Sequence, residues 1–272
     1  MTNTQSKFFT TIQNLRDSGP ISSRNTSKGA LIQETFNLFK GINAEFTAAD
    51  IRQVILVENT LNKSSYETRR KIWNAIKHRY LTIAPQWVGE GLHHATKQGI
   101  QSVDFLSLAY LHYTLRDRLT FELVMGPIWE RWQHGKTLIT RDEGLMFLQQ
   151  LAEQSPHINK WRDSTRKRLI SMSLTALRDF GLLKGVQKKH IQQPAIANET
   201  VYHLICVLLA EGKQGRAILQ APDWRLFLWS EVEVNNALGK LAQQDWLNYE
   251  RVGETVMLQL TRLPVSEDSS HE

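Results

Sequence analysis

The sequence of 272 residues has one cysteine, Cys206, and no apolar run long enough to cross a membrane. A single cysteine excludes an intrachain disulfide and a zinc site built from several cysteines. Cys206 lies in the apolar run 201–210, so we expect a buried free thiol of the kind found in reducing compartments. That run is too short for a membrane-spanning helix, which needs about 20 apolar residues. The first residues lack the apolar segment of a signal peptide, so we expect a cytoplasmic protein.

Motifs that bind nucleotides or support catalysis are also missing from the sequence. It has no Gly-x-x-x-x-Gly-Lys-Ser/Thr loop and no Gly-x-Gly-x-x-Gly segment after a strand. None of its nine histidines forms a His-Glu-x-x-His motif, and no base stands near Cys206 in the sequence. We therefore expect no enzymatic activity, no metal, no cofactor and no small-molecule substrate.

Apolar residues make up 41% of the chain and charged residues 22%, which is the balance of a globular protein with a sizeable core. Apolar residues recur at helical spacing almost throughout residues 29–263, whereas residues 246–261 alternate and predict a β-hairpin. We therefore predict a mainly α fold with two helical domains, helix-turn-helix or winged-helix elements and a small C-terminal β-hairpin. The predicted helices cover approximately residues 28–40, 47–60, 65–81, 86–97, 102–117, 119–134, 140–154, 164–181, 198–212 and 230–244.

Four of the predicted helices begin with a capping box, in which a Ser or Thr side chain and an acid three positions later satisfy free amide groups. These boxes begin at Thr47, Ser64, Thr140 and Ser230. They support the predicted helix starts independently of the apolar spacing.

The predicted organisation has four parts, with the main boundary at Gly135, which follows two apolar helices and precedes the helix start at Thr140. The segment 185–196 is open to two interpretations: a wing in addition to the C-terminal β-hairpin, or a loop. The four parts are a polar N-terminal segment (1–27, interpreted as mostly loose linker), an N-terminal helical domain with a helix-turn-helix (28–135), a C-terminal winged-helix-like domain (136–265) and a disordered acidic tail (266–272).

Positive charge is concentrated in two segments. Residues 63–81 contain six Lys or Arg and one Glu, and residues 160–190 contain nine Lys or Arg and two Asp. Because the whole chain carries only +6, the remainder is net acidic. Clustered basic charge on an acidic body is typical of a surface that binds anions such as nucleic-acid phosphates. Solvated helix faces produce the same pattern, so charge alone leaves both interpretations open.

The first basic helix is predicted over residues 65–81. With the preceding helix and a short turn at 61–65, it has the layout of a helix-turn-helix, whose second helix enters the major groove of DNA. Arg can donate paired hydrogen bonds to a phosphate or guanine, and Asn can pair with adenine in the same way. The predicted DNA-contacting residues of this helix are Arg69, Arg70, Lys71, Asn74 and Lys77.

The second basic helix is predicted over residues 164–181 and ends at Gly181, a residue suited to the turn that follows a helix. Its connection to the preceding helix, residues 155–162, is longer than a standard helix-turn-helix turn. The predicted DNA-contacting residues of this region are Arg166, Lys167, Arg168, Lys188 and Lys189. By contrast, the helix predicted at 230–244 has two acids in its first turn, so we expect it to pack internally or to contact a protein.

Residues 161–169 (WRDSTRKRL) and 176–183 (ALRDFGLL) resemble the BrxA family of bacterial BREX phage-exclusion systems. Residues 68–72 (TRRKI) and the length of the chain agree with this resemblance, which extends over most of residues 28–262. The resemblance implies a small helical accessory protein that binds duplex DNA with little sequence preference and has no catalytic activity of its own. It also implies action beside a methyltransferase, an ATPase and a phosphatase-like protein.

The function predicted from the sequence is non-enzymatic binding of double-stranded DNA, mainly through phosphate contacts, in phage exclusion. The alternative is a protein-interaction adaptor whose basic faces dock on an acidic partner within the defence complex. RNA binding is a third possibility, and it is less favoured because the sequence has no evident strip of aromatic residues for base stacking.

Overall fold

The computed structural model describes residues 15–24, 28–42, 47–82 and 87–262 of the chain. Within these ranges the protein is mainly α-helical with two small antiparallel sheets, which confirms the predicted mainly α class. The predicted acidic tail and most of the predicted polar N-terminal segment lie outside the described residues. No helix among the described residues has the length and apolar content needed to cross a membrane.

The helices follow the predicted segments to within a few residues. The predicted helix at 119–134 is interrupted at Pro127, because proline lacks the amide hydrogen of the α-helical pattern and the chain forms a π-helical turn there, Val124–Ile128. In chain order the helices are α1 Ile32–Lys40, α2 Ala48–Leu56, α3 Tyr66–Ile76, α4 Trp87–Thr96, α5 Val103–Leu115, α6 Arg118–Leu123, α7 Trp129–Gln133, α8 Arg141–Gln154, α9 Asp163–Asp179, α10 Asn198–Ala210, α11 Arg216–Leu219 and α12 Glu231–Gln243.

Two further turns matter for the candidate site. A π-helical turn, Lys77–Leu81, continues α3, and a 3-10 turn, Pro156–Lys160, precedes α9. The first basic helix of the sequence is therefore α3 with its π-helical turn, and the second basic helix is α9.

The strands form two separate sheets. β1 (Leu138–Ile139), β2 (Leu183–Lys184) and β3 (Lys189–Ile191) form an antiparallel sheet in the order β1-β3-β2. The segment 185–196 thus contains a strand, β3, and the turn 185–188 that joins β2 to β3. β4 (Leu247–Val252) and β5 (Thr255–Leu260) form the hairpin that the alternating pattern predicts.

Three of the four predicted capping boxes are present. The side chains of Thr47, Thr140 and Ser230 accept the amide hydrogen three residues later, and the acid at that position accepts the amide hydrogen of the cap residue. The box predicted at Ser64 is wrong. Helix α3 begins one residue later than that box requires, so Glu67 lies too close to the helix start to reach back.

One apolar core extends across the predicted boundary at residue 135. Helix α5 carries many of the connecting contacts, because it is buried on nearly all sides. The Tyr110 hydroxyl donates to the Leu226 carbonyl at 2.8 Å, and the Nε2 of His112 lies 3.0 Å from the Nδ1 of His203. Residues on both sides of the boundary are therefore packed directly against each other.

The described part of the N-terminal segment, residues 15–24, is packed rather than loose. Leu15 and Ile21 are buried in the core. The Asp17 amide donates to the Leu115 carbonyl at 2.9 Å, and the His157 ring lies 2.7 Å from the Ile21 carbonyl. Two buried apolar residues and these polar contacts hold the segment, and two apolar residues are too few to form a spacing pattern in the sequence.

Candidate nucleic-acid interface

The connection between α2 and α3 differs from the predicted short turn. Helix α2 ends at Leu56 and α3 begins at Tyr66, so residues 57–65 separate them. Asn59 and Asn62 both have left-handed backbone conformations in this connection, which asparagine tolerates better than most residues. A helix-turn-helix joins its helices by three or four residues. The short-turn layout predicted for α2 and α3 is therefore wrong.

The two arginines at the start of α3 are engaged within the protein. The Arg69 guanidinium donates to the Lys63 carbonyl at 2.8 Å and lies over the Tyr66 ring. The Arg70 guanidinium forms an exposed ion pair with Glu67 at 2.9 Å. Both residues would count as available cations from the sequence alone. In the structure, Arg69 is bonded to the connection before α3, and Arg70 is bonded to a glutamate one turn earlier on the same helix.

Further along α3, the predicted residues Lys71, Asn74 and Lys77 are exposed. The Lys77 ammonium lies 6.0 Å from the Trp73 ring, a distance at which a cation is still weakly attracted. Neither lysine forms an ion pair with any other described residue. These two lysines are the exposed cations of α3 and its π-helical turn that form no ion pair with a described residue.

Arg79 is one of the six basic residues of the first segment, but it is buried, with 1% of its surface exposed. Its guanidinium donates to the carbonyls of Lys28, Gly29 and Ala30 at 2.9–3.1 Å and lies 4.5 Å from the Tyr113 ring. It therefore holds the chain before α1 against the core and is not part of a surface.

Helix α9 is positioned by close packing on α8. A Cβ atom added to Gly144 of α8 would lie 2.6 Å from Ile170 of α9, closer than any real contact, so only glycine allows this approach. The buried side of α9 includes Leu169, Leu174 and Leu177. The opposite side of its first turns faces solvent.

The three predicted residues of α9 fall into two groups. The Arg166 guanidinium donates to the carbonyls of Trp161 and Asn159 at 3.2 and 3.1 Å, so it secures the turn that precedes the helix. Lys167 and Arg168 are exposed, and neither forms an ion pair with a described residue.

Three further cations near α9 were not among the residues singled out from the sequence. Lys160 and Arg162 precede the helix, and Lys184 lies on β2; all three are exposed and form no ion pair with a described residue. Their signal in the sequence is the positive charge of segment 160–190 as a whole, which does not show which of its residues are exposed. Arg178, by contrast, pairs with Asp179 at 2.6 Å.

The two predicted lysines between β2 and β3 have opposite environments. Lys188 is exposed in the turn 185–188. Lys189 is buried, with 8% of its surface exposed, and its ammonium donates to the Val186 carbonyl at 3.0 Å. The structure therefore gives Lys189 an internal contact rather than the surface position expected of a phosphate ligand. Lys188 is the last residue of the turn and Lys189 the first residue of β3, and the pairing of Lys189 with Ile139 fixes its side chain against the protein.

The exposed cations of segment 160–190 that form no ion pair with a described residue make up a set that we call the α9 basic set. All its members lie on α9, on the turn before it, or on the β2–β3 strands and turn, and β2 packs against α9. The members are Lys160, Arg162, Lys167, Arg168, Lys184 and Lys188.

Among the described residues, no cluster of three or more His, Cys, Asp or Glu is arranged to hold a metal ion. Cys206 is a fully buried free thiol, as predicted, and burial raises its pKa well above its usual range. His112 and His203 stack edge-on against Trp87 in the core. The lowered pKa of His112, caused by burial and by His203, is that of a neutral core histidine.

Comparison with known proteins agrees with the residues that carried the sequence resemblance. The BrxA family profile matches residues 21–206, which include both basic segments and the three-stranded sheet. A curated relative, the BREX protein BrxA of Bacillus cereus (strain H3081.97), is 21% identical over 164 residues, which cover 60% of this chain and 79% of the relative. Helix α12 and the β4–β5 hairpin lie beyond the matched residues. With more than half of its length matched, the chain belongs to the BrxA family.

Proposed function

We propose that this protein binds double-stranded DNA, without catalysis, through the α9 basic set. Membership of the BrxA family makes it a component of a BREX phage-defence system. The observation that carries the DNA-binding proposal is the accumulation of six exposed cations, none of them in an ion pair with a described residue, on α9, the segment just before it, and β2 with the β2–β3 turn.

The arrangement around α9 supports a winged-helix assignment. Helix α7, strand β1, helices α8 and α9, and strands β2 and β3 follow one another in the element order of a winged helix. The sheet order β1-β3-β2 is the one expected for such a unit, which supports the interpretation of the β2–β3 turn as its wing. In this assignment α9 is the helix that enters the major groove, and the turn 185–188 is the wing.

Lysine and arginine side chains that face a duplex neutralise phosphates and release condensed counterions. This contribution does not depend on base sequence, because phosphates carry no sequence information. The α9 basic set is dominated by such residues, whereas Asn74, the one predicted residue suited to reading adenine, lies on α3. We therefore infer binding with little sequence preference.

Titration of the full-length protein with a short random-sequence duplex over a range of salt concentrations tests this function. Six phosphate contacts predict a log–log slope of about −5, and hence a loss of affinity of about a thousandfold between 0.05 and 0.2 M salt. A duplex RNA of the same length should compete more weakly. Absence of binding at the lowest salt would contradict the proposal and would favour an adaptor that docks on an acidic protein of the same system.

A further inference from the structure

The backbone conformation of the turn between β2 and β3 requires a glycine at its first position. Gly185 has a φ of +98°, and a Cβ atom at this position would lie 2.2 Å from the carbonyl oxygen of Lys188. Only glycine permits this contact. The backbone of Lys188 is therefore folded tightly back over Gly185, and the tip residues Val186 and Lys188 are left exposed.

Lys189 holds the same turn from the other side. Its ammonium donates to the Val186 carbonyl, and residue 189 pairs with Ile139 across the sheet, so the anchor is fixed to β1 as well as to the turn. Burial lowers the pKa of Lys189, and the nearby Arg178 guanidinium lowers it further, with partial opposition from Asp179. A methionine would fill this space but could not donate a hydrogen bond to the Val186 carbonyl.

We propose that Lys189 is a positioning residue that holds the turn 185–188 in the conformation in which Lys188 reaches a DNA phosphate. The inference rests on the proposed function and deepens it. It explains why two adjacent lysines differ so strongly in exposure: Lys188 supplies the contact, and Lys189 fixes the backbone that carries it. Without the ammonium, the Val186 carbonyl loses its donor and the turn gains alternative conformations.

A double-mutant cycle on the full-length protein tests this role, with random-sequence duplex as the probe. Loss of one phosphate contact makes the salt slope about 0.9 less negative, which is about eightfold in affinity at 0.1 M salt. We expect this loss for Lys188→Ala and for Lys189→Met. In the double variant we expect the same loss and no more, because Lys189 acts through Lys188. Lys189→Arg, which retains a charged donor, should recover most of the affinity.

Independent losses, which multiply to about sixtyfold in the double variant, would overturn the inference. So would an unchanged affinity of Lys189→Met. If Lys189→Met does not fold, as judged by circular dichroism, Lys189→Gln takes its place, because its amide is too short to reach the same carbonyl. Gly185→Ala should distort the same turn, because its Cβ atom clashes with the Lys188 carbonyl. Its effect on duplex affinity should therefore also disappear when Lys188 has been replaced by alanine. If the wild-type protein does not bind duplex at all, the proposed function fails instead.

Discussion

The two basic segments of this protein, residues 63–81 and 160–190, both concentrate positive charge but use it differently. In the first, one arginine is buried, one donates to a backbone carbonyl, and two of the remaining cations form ion pairs with glutamates. In the second, six of nine cations are exposed without an ion-pair partner in the described structure. Counting Lys and Arg therefore overstates the available charge of the first segment far more than that of the second.

The difference has a simple physical origin. Two arginines of the first segment are used to hold backbone in place: Arg69 donates to the Lys63 carbonyl in the nine-residue connection before α3, and Arg79 donates to the carbonyls of residues 28–30 before α1. Helix α9 is anchored by apolar side chains and by the close approach at Gly144, so its cations are not needed to hold it in place. We infer that duplex affinity resides mainly on α9 and its wing.

The largest expected effect comes from removing three members of the α9 basic set, Lys167, Arg168 and Lys188, by substitution with alanine. Loss of three phosphate contacts should lower duplex affinity about 500-fold at 0.1 M salt. The matched control is Lys71→Ala with Lys77→Ala on α3, for which we expect at most a few-fold change. Fluorescence anisotropy on labelled duplex provides the measurement, and equal losses in both variants would remove the distinction between the segments.

A smaller effect, on stability rather than binding, is expected for Arg79→Met. This change leaves buried backbone carbonyls of residues 28–30 without their donor, so we expect the free energy of unfolding to fall by about 3 kcal/mol in urea titrations. Arg166→Met is the matched control, because its guanidinium also donates to carbonyls but lies near the surface, and its loss should cost less than about 1 kcal/mol. A near-neutral Arg79→Met would show that the charge of the first segment is not committed to the fold.

Much of the fold was predictable, because helices and the terminal hairpin follow apolar spacing and capping boxes closely. The α2–α3 connection was not, since two asparagines in left-handed conformations extend it beyond the turn that the sequence suggests. For the wing, the sequence predicts that both lysines are exposed, and only Lys188 is. Lys188 and Lys189 look identical in the sequence, and only the strand pairing with β1 decides that Lys189 points inward.

Only some members of the α9 basic set were predictable from the sequence. Lys167 and Arg168 were predictable from helical spacing, because they lie opposite the apolar stripe. Lys184 was not, because its exposure depends on a two-residue strand that no alternating pattern marks. The ion pair of Lys63 with Glu34 joins residues far apart in the chain, so the neutralisation of Lys63 could be found only from the tertiary structure.

Hydrogen–deuterium exchange of the full-length protein, with and without saturating random-sequence duplex, tests most directly where the DNA is bound. We predict that duplex slows exchange in the first turns of α9 and in the turn 185–188, and leaves α3 unchanged. Protection confined to α3 and its π-helical turn, with α9 and the wing unaffected, would contradict the assignment of the duplex interface to the α9 basic set.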